Sequence, residues 1–194
     1  KFMLHARILL SLFSAALLVA LAGSAQATAI FRINVGGPAV GSVDAGIGWA
    51  EDSAASPSVN RIGTGGGSLY NTSSGSSSGV VATGPAGVPI DIFQTERWDP
   101  PADPAMTWAF ALPAGVYEIR LYLAEIYNGV TLAGDRLFDV SVEGSVPGDF
   151  TGLDPFALGG NATSVGSVAS TTAYISDGTL DLVFIDGVEN PAIK

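Results

Sequence analysis

Apolar residues recur at every second position along much of this chain, and that period restricts the fold more than any other feature. In "VYEIRLYLAEIY", Ile119, Leu121 and Leu123 fall on one face, and Glu118, Arg120 and Tyr122 fall on the other. "RLFDVSVEG" sets Phe138, Val140 and Val142 against Asp139, Ser141 and Glu143. After the turn signal Asp177-Gly178, Leu180, Leu182 and Phe184 repeat the pattern. "AIFRINV" (Ala29 to Val35) and "MTWAFAL" (Met106 to Leu112) alternate as well, and run into Gly36-Gly37-Pro38 and Pro113-Ala114-Gly115. A period of two is that of a half-buried strand, whose side chains point alternately to either face. Several such runs, punctuated by Gly, Pro and Asp, predict an all-β, antiparallel sandwich. Beyond residue 27 no segment keeps a helical period over three turns.

The first 27 residues follow a different logic. Lys1, His5 and Arg7 form a basic start, Ile8 to Leu21 is mostly apolar, and "SAQA" closes the run at Ala27. This is the pattern of a secretory signal peptide cleaved near Ala27, and it predicts a secreted or cell-surface protein. The apolar run is short for a spanning helix and no basic stop follows it, so no membrane association is expected once the leader is removed. Residues 28–194 have the length of one domain.

That body carries six Lys and Arg against 18 Asp and Glu, a net charge of −12. Such a surface repels nucleic acid and anionic lipid, and is compatible with a neutral or cationic partner. There is no cysteine, and the single histidine, His5, belongs to the leader. A Ser-His-Asp triad, a Cys-His pair and an ordinary zinc site are therefore out of reach, and no cofactor is expected.

Residues 63–79, "GTGGGSLYNTSSGSSSG", contain 6 Gly and 6 Ser. Composition of that kind predicts a long surface loop on the rigid scaffold. Asn71-Thr72-Ser73 and Asn161-Ala162-Thr163 match the glycosylation sequon. Tyr70 lies in the loop, Trp98 ends "FQTERW" before Asp99-Pro100, and Tyr127 ends the best strand before Asn128-Gly129. Trp49, in "GIGWAED", reads as core. Aromatic rings collected at the rim of a sandwich form a platform for sugars, whose C–H faces stack on rings while their hydroxyls need polar partners.

The blocks "FRINVGGPAV", "FQTERW", "YEIRLYLAEIY", "GDRLFDVSVEG" and "ENPAIK" occur in the order and spacing of a malectin domain, which the chain resembles from about Ile30 to Lys194. The resemblance implies a jelly-roll β-sandwich that binds carbohydrate, with short glucose-type oligosaccharides or polysaccharide as ligand class. By motif position it assigns ligand contacts to Tyr70, Trp98 and Tyr127. It adds Asn128, where the family has an aromatic, and Glu189, where the family has an aspartate.

Glu96, Arg97 and Glu125 admit two readings. Paired carboxylates suggest a small glycosidase. The alternative, adopted here, is that they form charge-assisted bonds among themselves and with Arg136 or Arg120, and so fix the loops that hold the rings. Asp44, Asp52, Asp135, Asp149 and Asp154 are oxygen donors suited to calcium but lack any EF-hand spacing. The expectation is thus a non-catalytic carbohydrate-binding module. The alternative is a structural or adhesive module of a larger surface protein without a sugar pocket. "ENPAIK" reads as the beginning of a last strand, and further domains beyond Lys194 are expected.

Overall fold

In the computed structural model, residues 28–101 and 104–194 are described; the expected leader, with His5, lies outside them. The strands, in chain order, are β1 (Ile33–Val35), β2 (Ala50–Asp52), β3 (Arg61–Ile62), β4 (Ser68–Asn71), β5 (Thr95–Trp98) and β6 (Thr107–Ala111). They continue with β7 (Gly115–Leu123), β8 (Leu137–Val142), β9 (Ser167–Ile175), β10 (Thr179–Val188) and β11 (Ala192–Ile193). The one α-helix among the described residues, α1 (Pro155–Leu158), is a single turn capped by Asp154, whose Oδ1 accepts from the amide of Ala157 at 3.0 Å.

One layer is the antiparallel sheet β3-β6-β10-β8. β10 lies inside it between β6 and β8, with Leu182 opposite Trp108 on β6 and Phe184 opposite Val140 on β8, and buries alternate side chains from Leu180 to Phe184. The facing layer is the antiparallel pair β7-β9, in register from Gly115↔Ile175 to Leu123↔Ser167. Ile119, Leu121 and Leu123 face inward from β7 and pack against Trp108, Phe138, Val140, Leu182 and Phe184. Each such apolar side chain contributes about 1.5–3 kcal/mol on leaving water. The all-β antiparallel sandwich predicted by the alternation is the fold.

A second apolar cluster covers the other face of β7: Trp49, Val81, Ile92, Phe93, Ala124 and Ile126, with Tyr122 and Tyr70 packed against it. Trp49 meets Tyr122 edge-on, with ring centroids 4.9 Å apart. The sheet β11-β5-β4 adjoins β7, and the amide of Lys194 donates to the carbonyl of Tyr122 at 3.1 Å.

Two expectations need correction. The Gly/Ser-rich segment 63–79 is not loop throughout, since its Ser68–Asn71 stretch is β4, paired with β5 from Ser68↔Trp98 to Asn71↔Thr95. Backbone pairing with a strand already fixed in the core overrides the linker composition. The alternating run Ala29 to Val35 forms a strand only over Ile33–Val35, and pairs in parallel with β2. Ile30 and Phe31, before it, are exposed. No helix among the described residues is long and apolar enough to cross a membrane.

Candidate functional site: an aromatic cleft at the rim

Alternation along β5 divides its side chains. Arg97 points away from the rim, where its Nε and Nη2 donate to the Asp52 carboxylate at 2.5 and 3.0 Å. Its Nη1 reaches the carbonyl of Gly67 just before β4. Glu96 and Trp98 lie on the opposite face. Tyr70 on β4 stands directly across from Glu96, and Ala192 on β11 stands across from Trp98. A residue as small as alanine beside an indole leaves the ring uncovered, and Trp98 is only half-buried.

Tyr127 reaches the same place from the end of β7. The segment after β4 turns back and pairs with it: the Ser78 amide donates to the carbonyl of Ile126, and the Asn128 amide donates to that of Ser76. The Tyr127 amide donates to Glu125 Oε1 at 2.9 Å. Its ring lies over Gly129, where a Cβ would overlap it. The outcome is a cleft of about 250 Å³ lined by Tyr70, Ser76, Glu96, Trp98, Tyr127, Arg136, Glu189 and Asn190.

Four expected contacts, Tyr70, Trp98, Tyr127 and Glu189, therefore share one cleft. Asn128 does not line it: it is exposed, and its backbone bond to Ser76 serves to anchor the loop. Glu189 is exposed with φ +57, and accepts from Asn190 Nδ2 at 3.0 Å. Sequence reasoning did not find Ser76, whose Oγ lies 3.0 Å from the Tyr70 hydroxyl, nor Asn190. Neither carries a local pattern, because each is placed by a turn pairing with a distant strand.

Beneath the cleft lie two buried ion pairs. Lys194 Nζ donates to Glu96 Oε2 at 2.6 Å, and Arg136 Nε donates to Glu125 Oε2 at 2.7 Å. Arg136 Nη1 also donates to the carbonyl of Asn190. Arg136 thus ties the Tyr127 wall, through Glu125, to the Glu189-Asn190 wall. Burial pushes the Glu125 carboxyl up from its ordinary range, and the charge of Arg136 opposes the shift. Burial likewise lowers the Lys194 ammonium, against the pull of Glu96. Arg120 is occupied elsewhere, paired with Glu118 on the outer face.

The five aspartates considered for calcium do not form one cluster. Asp44 pairs with Arg32, Asp52 with Arg97, Asp135 accepts from Thr131 and Leu132, Asp154 caps α1, and Asp149 lies in the short turn Gly148–Phe150. Among the described residues no group of three or more His, Cys, Asp or Glu side chains could hold a metal.

Solved structures share this fold. A chain from the complex of the plant peptide RALF23 with FER and LLG2 is 19% identical over 84% of this chain and 46% of its own length, with a TM-score of 0.67. The extracellular domain of ANXUR1 from Arabidopsis thaliana is 18% identical over 84% of this chain and 45% of its own, at 0.65. A β-glucuronidase from Bacteroides uniformis is 20% identical over 84% of this chain and 17% of its own, at 0.60. This chain therefore spans less than half the length of each. No curated protein matches it. The Malectin domain family matches residues 29–192, which takes in the sandwich and every residue lining the cleft. By that match, over most of its length, the chain belongs to the malectin family.

Proposed function

We propose that the rim cleft binds a short glucose-type saccharide, and that the domain is a non-catalytic carbohydrate-binding module. The observation that carries this reading is the convergence of Tyr70, Trp98 and Tyr127, from three separate segments, around one open cleft with Glu96, Glu189 and Asn190 at hand. Rings supply stacking surfaces for C–H faces, and the amide and carboxylates supply partners for hydroxyls. Each stacking ring adds about 0.5–1.5 kcal/mol beyond the contribution of the area it buries, and two or three rings together are in keeping with micromolar-to-millimolar affinity. Against hydrolysis stands the state of the two carboxylates, since Glu96 and Glu125 are both buried and engaged by a cation. A glycosidase needs one free acid and one free base or nucleophile across the sugar.

Titration calorimetry against linear gluco-oligosaccharides tests the reading. Saturable binding that Trp98→Ala abolishes, with the melting curve retained, supports it. Binding that survives Trp98→Ala, or no binding to any neutral oligosaccharide on an array, overturns it. A second reading rests on the fold neighbour solved with RALF23 and LLG2: the domain engages a peptide or protein partner, as an adhesive module would. Export through the leader in residues 1–27 accompanies either reading, and N-terminal sequencing of the secreted protein should begin near Thr28.

A further inference from the structure

Asn128-Gly129 is a motif that the cleft does not use, in a turn directly beside it. Six asparagines occur in residues 28–194, and Asn128 alone precedes a glycine. That pairing favours attack by the following backbone nitrogen on the side-chain amide carbon, because glycine has no Cβ to crowd the nitrogen and rotates freely. In a folded protein the attack has three requirements. The asparagine amide must be unengaged, the next backbone amide must be free, and the chain between them must be able to turn.

The fold meets these requirements at Asn128. The residue is exposed, and among the described residues only its backbone is bonded, the amide donating to the Ser76 carbonyl at 2.9 Å. Gly129 is exposed too, and its amide donates to no acceptor among the described residues. The bond that closes the turn passes over it, from the Val130 amide to the Tyr127 carbonyl at 3.2 Å, the long end of the usual range. The other asparagines each fail somewhere. Asn34 is buried and donates to the Pro38 carbonyl, and Asn71 Oδ1 accepts from the Ser73 amide and hydroxyl. Asn60 and Asn161 precede Arg61 and Ala162, which carry a Cβ, and Asn190 precedes Pro191, whose nitrogen has no proton to lose.

We propose that Asn128-Gly129 is a self-modification site, at which the folded protein forms a succinimide and then isoaspartate. The Gly129 nitrogen bonds to Asn128 Cγ, the Cγ–Nδ2 bond breaks, and the amide proton leaves with the side-chain nitrogen as ammonia. Water then opens the imide. Breaking the new Cγ–N bond gives aspartate. Breaking the original bond from the Asn128 carbonyl carbon to that nitrogen gives isoaspartate, whose main chain runs through Cγ and is one methylene longer. Nothing is oxidised or reduced, and water is the only co-reactant.

The extra methylene enters between two fixed points. Val130 is buried, and the Tyr127 amide is held by Glu125 Oε1. The Tyr127 ring, which lies over Gly129, is the part left to move. Isoaspartate therefore shifts this ring relative to Tyr70 and sets a carboxylate beside the cleft, a consequence read on the rings themselves and independent of any saccharide.

The test incubates the folded protein in mildly alkaline buffer, then denatures samples and digests them with trypsin. Cleavage after Arg120 and Arg136 releases Leu121–Arg136, in which Asn128 is the only side-chain amide. An isoaspartyl methyltransferase is expected to methylate this peptide increasingly with time, at a rate within severalfold of that for protein aged in urea. Asn128→Ser, which has no amide carbon to attack, should remove the signal. In the aged folded protein the nuclear Overhauser contact between the Tyr70 and Tyr127 rings should weaken. An unmodified peptide, or conversion in urea only, overturns the proposal, because the turn then shields the bond. Conversion with the ring contact unchanged overturns its link to the cleft.

Discussion

The rings of Tyr70 and Tyr127 meet edge to face, with centroids 6.3 Å apart and planes at 87°. One stands on β4 and the other follows β7, and they meet because residues 76–78 pair with residues 126–128. An edge-to-face pair of this kind gains about 0.5–1.5 kcal/mol beyond its buried area. It also fixes the angle between two walls of the cleft.

Tyr127→Phe keeps the ring and Tyr127→Ala removes it. If stacking is what the residue supplies, Phe should bind gluco-oligosaccharide within about twofold of the parent, and Ala about five- to tenfold more weakly. Calorimetry on both variants checks this. Equal losses for Phe and Ala would transfer the contribution to the hydroxyl.

The sandwich was legible in the sequence because its strands carry their own instructions. Ile119, Leu121 and Leu123 alternate with Glu118, Arg120 and Tyr122, and a one-residue slip would expose the entire set. The site was legible only in part. Trp98 and Tyr127 stand next to turn residues, and that position is visible locally. Arg136, Lys194, Ser76 and Asn190 are brought in by pairings between distant segments, which leave no local period. β4 was missed for the same reason. Its backbone is held by β5, so the Gly and Ser around it do not decide its state. The burial of Asp99 answers why an acid-proline unit follows Trp98: its carboxylate accepts the amides of Gly66 and Met106 at 3.0 and 2.6 Å, and so pins the entries to β4 and β6.

Gly129 should tune the cleft without supporting the core. A Cβ there overlaps the Tyr127 ring, whose far atoms can swing aside at small cost. Gly129→Ala is therefore expected to leave the melting temperature within about 2 °C of the parent, about what 0.5 kcal/mol produces in a domain of this size. It should still weaken saccharide binding severalfold. A melting shift as large as that of a core truncation such as Leu121→Ala, which costs about 2–5 kcal/mol, would show that the ring has no room to move.

Two surface carboxylates contribute to the acid side of the stability profile. Asp44 is held below its ordinary value by hydrogen bonds from Arg32, Ser42 and the Gly46 amide, and Asp135 by the amides of Thr131 and Leu132. A carboxyl with a depressed folded-state value contributes stability above its unfolded value, 3.8 here, and loses it as pH falls through the folded value. Exchange of the Leu132 amide should accordingly speed up below about pH 3.8, and Asp135→Asn should remove that dependence. An unchanged profile in Asp135→Asn would assign the transition to other carboxylates.

Arg136 should matter to both stability and binding, because it bridges Glu125 and the carbonyl of Asn190. Arg136→Ala leaves Glu125 buried without its cation, and breaking one side of a buried pair costs about 3–5 kcal/mol. The pH dependence of that loss has a definite sign. The Glu125 carboxyl already lies above its ordinary value through burial, with Arg136 opposing. Removing the arginine raises it further, and a raised carboxyl favours the folded state below its unfolded value and disfavours it as pH rises. The deficit of Arg136→Ala relative to the parent should thus be largest near neutral pH and shrink on acidification. Replacing both members, as in Glu125→Met with Arg136→Met, removes the stranded charge and should restore most of the stability. The Tyr127 amide and the Asn190 carbonyl would still lose their anchors, so saccharide binding in the double variant should stay impaired while urea unfolding returns toward the parent. If binding recovers together with stability, Arg136 serves the fold alone.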